Sequence, residues 1–187
     1  MEIKDVIKTG LDLTKRSLDR TLDGLTAEEL KWQPKNDANS IGLILFHVIR
    51  AEDSMVNRIQ GKPQVWETEK WYQKVNKAID DGGAHYTAEQ VHAFVVPDIK
   101  DLTAYAAAVR KNTLEFVNGL KPGDYDRKVE MPPRPPQMGP DGKPLPPMKP
   151  PFEQVVGAML FYAVMHIDQH AGEISYIRGL KRGMDKE

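Results

Sequence analysis

Residues 161–177 read FYAVMHIDQHAGEISYI and place His166 and His170 four residues apart. On a helix, residues four apart lie one above the other on the same face, so their two imidazole rings can approach a single ion. Hydrophobic residues recur on this face at three- and four-residue steps, at Val156, Met159, Ala163, Ile174 and Ile177. The pattern predicts a long helix whose two histidines face the protein interior.

A buried imidazole needs a partner for each ring nitrogen. A metal ion bound by both rings meets that need, and ordinary hydrogen bonds within a core meet it equally well. The histidine pair by itself leaves both interpretations open. A third ligand elsewhere in the chain would favour the metal.

The composition is that of a globular protein. Of 187 residues, 40% are hydrophobic and 28% charged, which predicts one domain over residues 1–187. The 26 basic and 27 acidic residues leave no basic patch for a nucleic-acid backbone. No apolar run approaches the roughly 18 residues of a membrane span, and the N-terminus MEIKDVIKTG is charged where a signal peptide is apolar. We therefore expect a cytoplasmic protein without nucleic-acid or membrane partners.

The chain has no cysteine. Disulfides, protein thiolate nucleophiles and cysteine-type zinc sites are thereby excluded. Any metal must be held by histidine, aspartate or glutamate.

Three further segments have the periodicity of long amphipathic helices. Turn or capping residues bound each of them, including Gly24 after the first, Ser40 or Asn39 before the second and Asp98 before the third. The predicted ranges are 3–24, 41–60 and 99–120. With the histidine helix, predicted from Phe152 to about Gly179, they make an all-α four-helix bundle without a convincing strand.

His47 lies at the margin of the apolar face of the second long helix, beside Ile44 and Ala51. A lone histidine there is usually a hydrogen-bonded core residue. Beside the HxxxH pair it becomes the candidate third ligand, and three histidines from two helices leave a fourth position open, as catalytic metal sites require. His85 and His92 are seven residues apart and are left out of the site.

Two connections are unusually long. Residues 61–97 contain short helical signals, including a capping box from Thr87 to Gln90, and form either a pocket wall or a cover of aromatic residues over one end of the bundle. Residues 131–151, before the fourth long helix, hold ten of the fourteen prolines. This density predicts an extended, polyproline-like excursion that serves as a stiff loop or as a partner-docking arm.

Two stretches resemble one known family. LKWQPKNDANSIGLILFH at residues 30–47, followed by VIRAED at 48–53, is similar to the second-helix region of the DinB/YfiT-like metalloenzyme superfamily. HIDQHAGEI at residues 166–174 resembles that family's HxxxHxGx motif. The order and spacing of the four long helices agree as well. Two departures are Glu173, where the family often has glutamine, and the proline-rich segment, where it usually has a short connection.

The resemblance implies a four-helix bundle, often a homodimer, in which His47, His166 and His170 bind a divalent metal. Nickel or zinc is expected first, with iron or manganese as alternatives. Family members with assigned activities include bacillithiol-dependent S-transferases, a mycothiol-dependent maleylpyruvate isomerase and metal-dependent hydrolases. The damage-induction name of the family suggests a role on DNA, for which this charge distribution offers no support.

We therefore expect a metal-dependent thiol S-transferase or hydrolase that acts on a small molecule. A thiol would have to be a low-molecular-weight cosubstrate, since the chain has no cysteine. Glu173, three residues after His170, is the candidate catalytic carboxylate, which orients a ligand ring or moves a proton, and its alternative is a solvated surface residue. Glu52 and Asp53 are weaker candidates for the same role. The alternative function is a non-catalytic protein that binds metal or a ligand, or docks a partner through its proline-rich segment.

Overall fold

The computed structural model describes residues 2–131 and 152–183. Within them, four long helices are α1 (Ile3–Leu22), α3 (Ile41–Gln60), α7 (Ile99–Gly119) and α8 (Val156–Arg182). Four short helices are α2 (Ala27–Lys31), α4 (Val65–Thr68), α5 (Trp71–Lys74) and α6 (Ala88–His92), and a 3₁₀ turn covers Pro122–Asp126. Helix α8 packs against α3 and α1, and α7 packs against the same two helices. The predicted all-α four-helix bundle is confirmed.

The predicted capping residues account for the helix boundaries. The Ser40 hydroxyl accepts a hydrogen bond from the Leu43 amide at 3.2 Å and starts α3. Asp98 starts α7 in the same way, through the Lys100 amide. Thr26 and Glu29 form a reciprocal capping box at α2. Short-range hydrogen bonds of this kind explain why the sequence predicts these boundaries within one or two residues.

Helix α3 lies at the centre of the fold. The sequence pattern predicts one apolar face on it, but Phe46, Ile49 and Val56 outside that face are also buried. The 61–97 connection covers this second side, where the Phe46 ring lies 5.7 Å from those of both Trp66 and Phe94. The predicted aromatic cover is therefore present, packed along α3.

The fourth long helix begins later than predicted. Strand β1 (Lys128–Met131) pairs antiparallel with β2 (Phe152–Val155), with Lys128 opposite Val155. The predictions that the helix begins at Phe152 and that the chain has no strand are therefore wrong. Residues 152–155 pair with β1 through backbone hydrogen bonds, and a local sequence pattern cannot reveal a pairing between distant segments. Helix α8 then starts at Val156, whose amide donates to the Arg127 carbonyl at 3.0 Å. The predicted polyproline excursion lies, from residue 132 to 151, outside the described residues.

No helix in residues 2–131 and 152–183 combines the length and the hydropathy needed to cross a bilayer.

Candidate metal centre

Helices α3 and α8 bring three imidazole rings together. His166 Nε2 lies 3.2 Å from His47 Nε2 and 3.2 Å from His170 Nε2. The three histidines offer nitrogens that all lie within 4.8 Å of one another, and this group could hold a metal ion. The structure thus unites the three residues that the sequence places on two separate helices.

The outer nitrogens of two rings have acceptors that determine their tautomers. His47 Nδ1 lies 2.9 Å from the Gly83 carbonyl oxygen, and His170 Nδ1 lies 2.7 Å from Glu173 Oε2. A carbonyl and a carboxylate only accept hydrogen bonds, so each Nδ1 must carry the proton. In its neutral form, each ring then directs an Nε2 lone pair toward His166.

The three rings have too few N–H groups at the centre of the cluster to satisfy every Nε2 lone pair there. His166 Nε2 can supply one hydrogen to two neighbouring lone pairs, and among the described residues its Nδ1 is buried without a hydrogen-bond partner. One cation would satisfy all three Nε2 lone pairs at once. Nitrogens bound at 2.0–2.1 Å in a tetrahedral zinc site lie about 3.3 Å apart. The two separations from His166 Nε2, each 3.2 Å, are close to this distance. The donor set fits a divalent metal better than it fits a hydrogen-bonded core.

Electrostatics keep the cluster in its ligand form. Burial lowers the pKa of His47, the hydrogen bond that His47 donates to the Gly83 carbonyl raises it, and the nearby charge of His170 lowers it further. Burial, together with the charges of His170 and His47, lowers the pKa of His166 to about 4. Metal binding needs neutral imidazoles, and the lowered pKa values favour the neutral form of His47 and His166 at physiological pH.

The cluster lies at the border of the core, whereas the sequence pattern predicts it inside. The buried face of α8 contains the predicted residues Val156, Ala163, Ile174 and Ile177, and it also extends to Leu160, Ile167 and Ala171. The two histidines lie at the margin of this face as partly buried residues. The buried face is wider than the predicted one because α8 packs against both α1 and α3. Side chains of His170 and Glu173 are 16% and 45% exposed, so the site is reachable from solvent.

The two weaker carboxylate candidates lie elsewhere. Glu52 binds the Arg110 guanidinium through both oxygens, at 2.8 and 2.9 Å. Asp53 accepts hydrogen bonds from the backbone amides of Val65 and Trp66 and thereby caps α4. Both roles are structural, so Glu52 and Asp53 do not support the histidines directly.

A separate apolar groove of about 550 Å³ lies between α1, α3 and α7. The Glu52–Arg110 pair is in its wall, and none of the three clustered histidines lines it. The groove and the candidate metal centre are therefore different features, on different faces of α3.

Gly83 is the residue near the site that the sequence pattern does not single out. The sequence marks residues 81–83 only as a break, and the contact between Gly83 and His47 joins positions 36 residues apart. His85 follows in the same loop, and its charge contributes to the lowered pKa of His47. His92 ends the short helix α6.

Comparisons with known proteins agree with this architecture. A family model described as the DinB superfamily matches residues 11–174. The crystal structure of a conserved protein from Enterococcus faecalis is similar, with a TM-score of 0.75 and 20% sequence identity over 96% of this chain and 97% of that chain. This likeness shows the fold alone. No curated protein matches the sequence. Because the family model covers most of the chain, the protein belongs to the DinB superfamily.

Proposed function

We propose that the protein is a divalent-metal-dependent enzyme that acts on a small molecule, as a thiol S-transferase or a hydrolase. The observation that carries the proposal is the convergence of three Nε2 atoms, two of which have their lone pairs aimed inward by fixed Nδ1 hydrogen bonds. His47, His166 and His170 would hold the ion, with nickel or zinc as the first expectation. When bound, such a cation supplies a Lewis acid that stabilises an anionic nucleophile.

Glu173 is the residue of this chain that we propose as the proton carrier. Its Oε2 accepts from His170 Nδ1 at 2.7 Å, and its side chain is 45% exposed. The carboxylate can thus orient the His170 ring while remaining accessible to a substrate proton. Support for the positioning role is geometric, whereas the proton-transfer role rests on accessibility.

The choice between thiol transfer and hydrolysis depends on the cosubstrate. The chain has no cysteine, so any thiolate must come from a small molecule. An exposed aromatic residue, Tyr162, lies beside the site, with its ring centroid 5.9 Å from that of His166. It offers an apolar surface on which an organic substrate can rest.

Metal analysis of protein purified without a polyhistidine tag tests the metal site. We expect about one equivalent of a divalent metal in the wild type and its loss in His170→Ala. The control is His92→Ala, which removes an exposed histidine outside the cluster. Unchanged metal content in His170→Ala would exclude the proposed ligand set.

A screen for thiol transfer to electrophiles and for amide or ester hydrolysis, with and without chelator, tests the enzyme class. Activity that is lost with the chelator and restored by metal supports the proposal. Activity that resists the chelator removes the metal from the mechanism. A metal-loaded protein inactive in the whole screen would favour the alternative, a non-catalytic metal- or ligand-binding protein.

We also propose a homodimer as the assembly. Large exposed apolar side chains of the described residues, apart from Tyr162 beside the histidines, concentrate on the outer faces of α8 and α1: Phe161, Met165, Tyr176 and Leu180, with Ile3, Val6 and Leu13. A 27-residue helix is about 40 Å long, which gives this face the length that a stable interface of roughly 800 Å² per partner needs.

Light scattering of Met165→Glu tests the assembly against a control, Val95→Glu, which changes an exposed apolar residue elsewhere. The first variant should be monomeric and the second dimeric. A monomeric wild type would end the assembly proposal.

A further inference from the structure

The loop of residues 79–86 is fixed to α3 and α4 beside the histidine cluster. Trp66 Nε1 donates to the Ile79 carbonyl at 2.8 Å, and Arg50 Nε donates to the Asp81 carbonyl at 3.0 Å. Within the loop, Asp81 Oδ1 accepts from the Gly83 amide at 2.9 Å and from the Tyr86 hydroxyl. These bonds hold the loop backbone at both sides of Gly83.

Arg50 is itself held in one orientation. Its side chain is 5% exposed, and its guanidinium carbon lies 4.3 Å from the centroid of the Trp66 ring. Arg50 Nη1 donates to Gln64 Oε1 at 2.7 Å and to the Tyr105 hydroxyl at 3.1 Å. A buried guanidinium with this many fixed partners cannot easily reorient, so the loop carbonyl that it binds is fixed as well.

Gly83 lies directly on α3 between His47 and Arg50. Its φ of +70° belongs to the left-handed region, and a Cβ added here would lie 3.1 Å from Arg50 Cβ and Cγ and 3.4 Å from His47 Cα. Both the backbone conformation and the space therefore favour glycine at this position. This close approach places the Gly83 carbonyl 2.9 Å from His47 Nδ1.

We propose that Gly83, clamped by Arg50 through Asp81, is a positioning residue that sets the tautomer and orientation of His47. The Gly83 carbonyl holds the proton on Nδ1 and turns the Nε2 lone pair toward His166 and His170. Without this carbonyl, His47 would distribute its proton between both nitrogens, and half or more of the rings would present N–H to the cluster. The consequence for metal affinity rests on the proposed metal site, whereas the consequence for the His47 ring does not.

Gly83→Ala and Gly82→Ala form a matched pair of variants. A Cβ at Gly82 would meet nothing within 4 Å, whereas one at Gly83 meets α3. We expect long-range ¹H–¹⁵N NMR of the metal-free protein above pH 7.5 to show His47 protonated at Nδ1 in the wild type and in Gly82→Ala. In Gly83→Ala we expect a mixture of tautomers. A His47 protonated at Nε2 in the wild type, or the same tautomer in all three proteins, would overturn the inference.

Zn²⁺ affinity, measured by competition with a chromophoric chelator, gives the second readout. We expect Gly83→Ala to bind about 10- to 100-fold more weakly than wild type, as loss of a residue that orients a ligand typically does, and Gly82→Ala to bind within twofold. Equal affinities in the two alanine variants would overturn the inference. If the wild type binds neither Zn²⁺ nor Ni²⁺, the proposed function fails, and the NMR readout alone decides the role of Gly83.

Tyr86→Phe keeps the test decisive if circular dichroism shows that Gly83→Ala does not fold. This change removes only the hydroxyl that binds Asp81, and it retains the ring packed 5.7 Å from Phe94. We expect a three- to tenfold loss of Zn²⁺ affinity and a partial shift of the His47 tautomer. Wild-type values for both quantities in a folded Tyr86→Phe protein would overturn the inference.

Discussion

Helix α3 carries two polar clusters less than two turns apart, around Asp53 and around His47. They differ in how completely their polar atoms are hydrogen-bonded. Around Asp53, both carboxylate oxygens are satisfied: Oδ1 by the Val65 amide and Asn57, Oδ2 by the Trp66 amide and the Tyr105 hydroxyl. Around His47, three Nε2 atoms converge with at most one hydrogen among them.

The difference separates a structural cluster from a candidate binding site. A fully satisfied buried carboxylate gains nothing from a further ligand, and it fixes the elements that it joins. Burial and the charge of Asp53 raise the pKa of Tyr105, so its hydroxyl stays protonated as a donor. The histidine cluster is incompletely satisfied, and a cation bound by its three Nε2 atoms would complete it. The two are connected, since Arg50 joins the Asp53 cluster to the loop that orients His47.

The largest expected effect is the loss of stability when the hydrogen-bonded cluster around Asp53 is disrupted. Asp53→Ala leaves two amides, a tyrosine hydroxyl and Arg50 without their acceptor, and should lower the free energy of unfolding by about 3–5 kcal/mol. Urea unfolding of metal-free protein measures it. The control Glu115→Ala, in an exposed ion pair with Lys111, should change stability by less than about 0.5 kcal/mol. A comparable small loss in Asp53→Ala would remove the contrast between the clusters.

Removal of a ring from the histidine cluster should have the opposite result, a large loss of Zn²⁺ affinity with a small loss of stability. His166→Ala should reduce Zn²⁺ affinity by more than about 100-fold, beyond the loss typical of a supporting residue. Metal-free stability should fall by less than about 1 kcal/mol, because the ring buries an Nδ1 without a partner among the described residues and its desolvation offsets its packing. Chelator competition and urea unfolding measure the two quantities. A large stability loss with retained Zn²⁺ binding would identify His166 as a core residue.

Glu173 allows a finer test of the histidine cluster. Glu173→Ala removes the acceptor for His170 Nδ1 and should weaken Zn²⁺ binding by about tenfold, the lower end for such residues because Glu173 is half exposed. Glu173→Gln keeps an acceptor oxygen and should weaken it by less than about threefold. Calorimetric titration of both variants measures the difference. Identical losses would mean that the carboxylate charge, and not the orientation of His170, governs affinity.

The smallest expected effect is a loss of folding stability at acidic pH. His166 has a pKa of about 4 in the folded protein and 6.5 as its ordinary value, and the pKa of His47 is lowered too. Between pH 4 and pH 6.5 the unfolded chain binds protons that the folded chain does not. The contribution of these neutral rings to the free energy of unfolding is therefore complete above pH 6.5 and is lost as the pH falls toward 4. We expect a loss of about 1 kcal/mol for the partly exposed rings.

Urea unfolding in chelator at pH 7.5, 6 and 5 measures this loss, with His166→Ala as the comparison. The variant should lose less stability than the wild type over the same range. Equal slopes would show that other groups control the acid response.

Much of the site was predictable because the spacing of residues along a single helix determines which side chains share a face. His166 and His170 share a helix face by spacing alone, and the 3.6-residue period places His47 at the margin of its own helix. The same period identified most of the buried face of α8 but not its extension to Leu160, Ile167 and Ala171, because a helix that packs against two neighbours buries a wider face. It also missed β1 and β2, whose pairing depends on backbone groups in distant segments.

The sequence by itself determined the four long helices, their capping residues, the exclusion of cysteine chemistry and the two halves of the histidine cluster. These follow from periodicity and from hydrogen bonds that span a few residues. Only the tertiary structure decided that His47 meets His166 across 119 positions, and that the Gly83 carbonyl accepts from His47 Nδ1 across 36 positions. Those distances depend on how the helices pack, and packing arises from contacts between segments that no local pattern encodes.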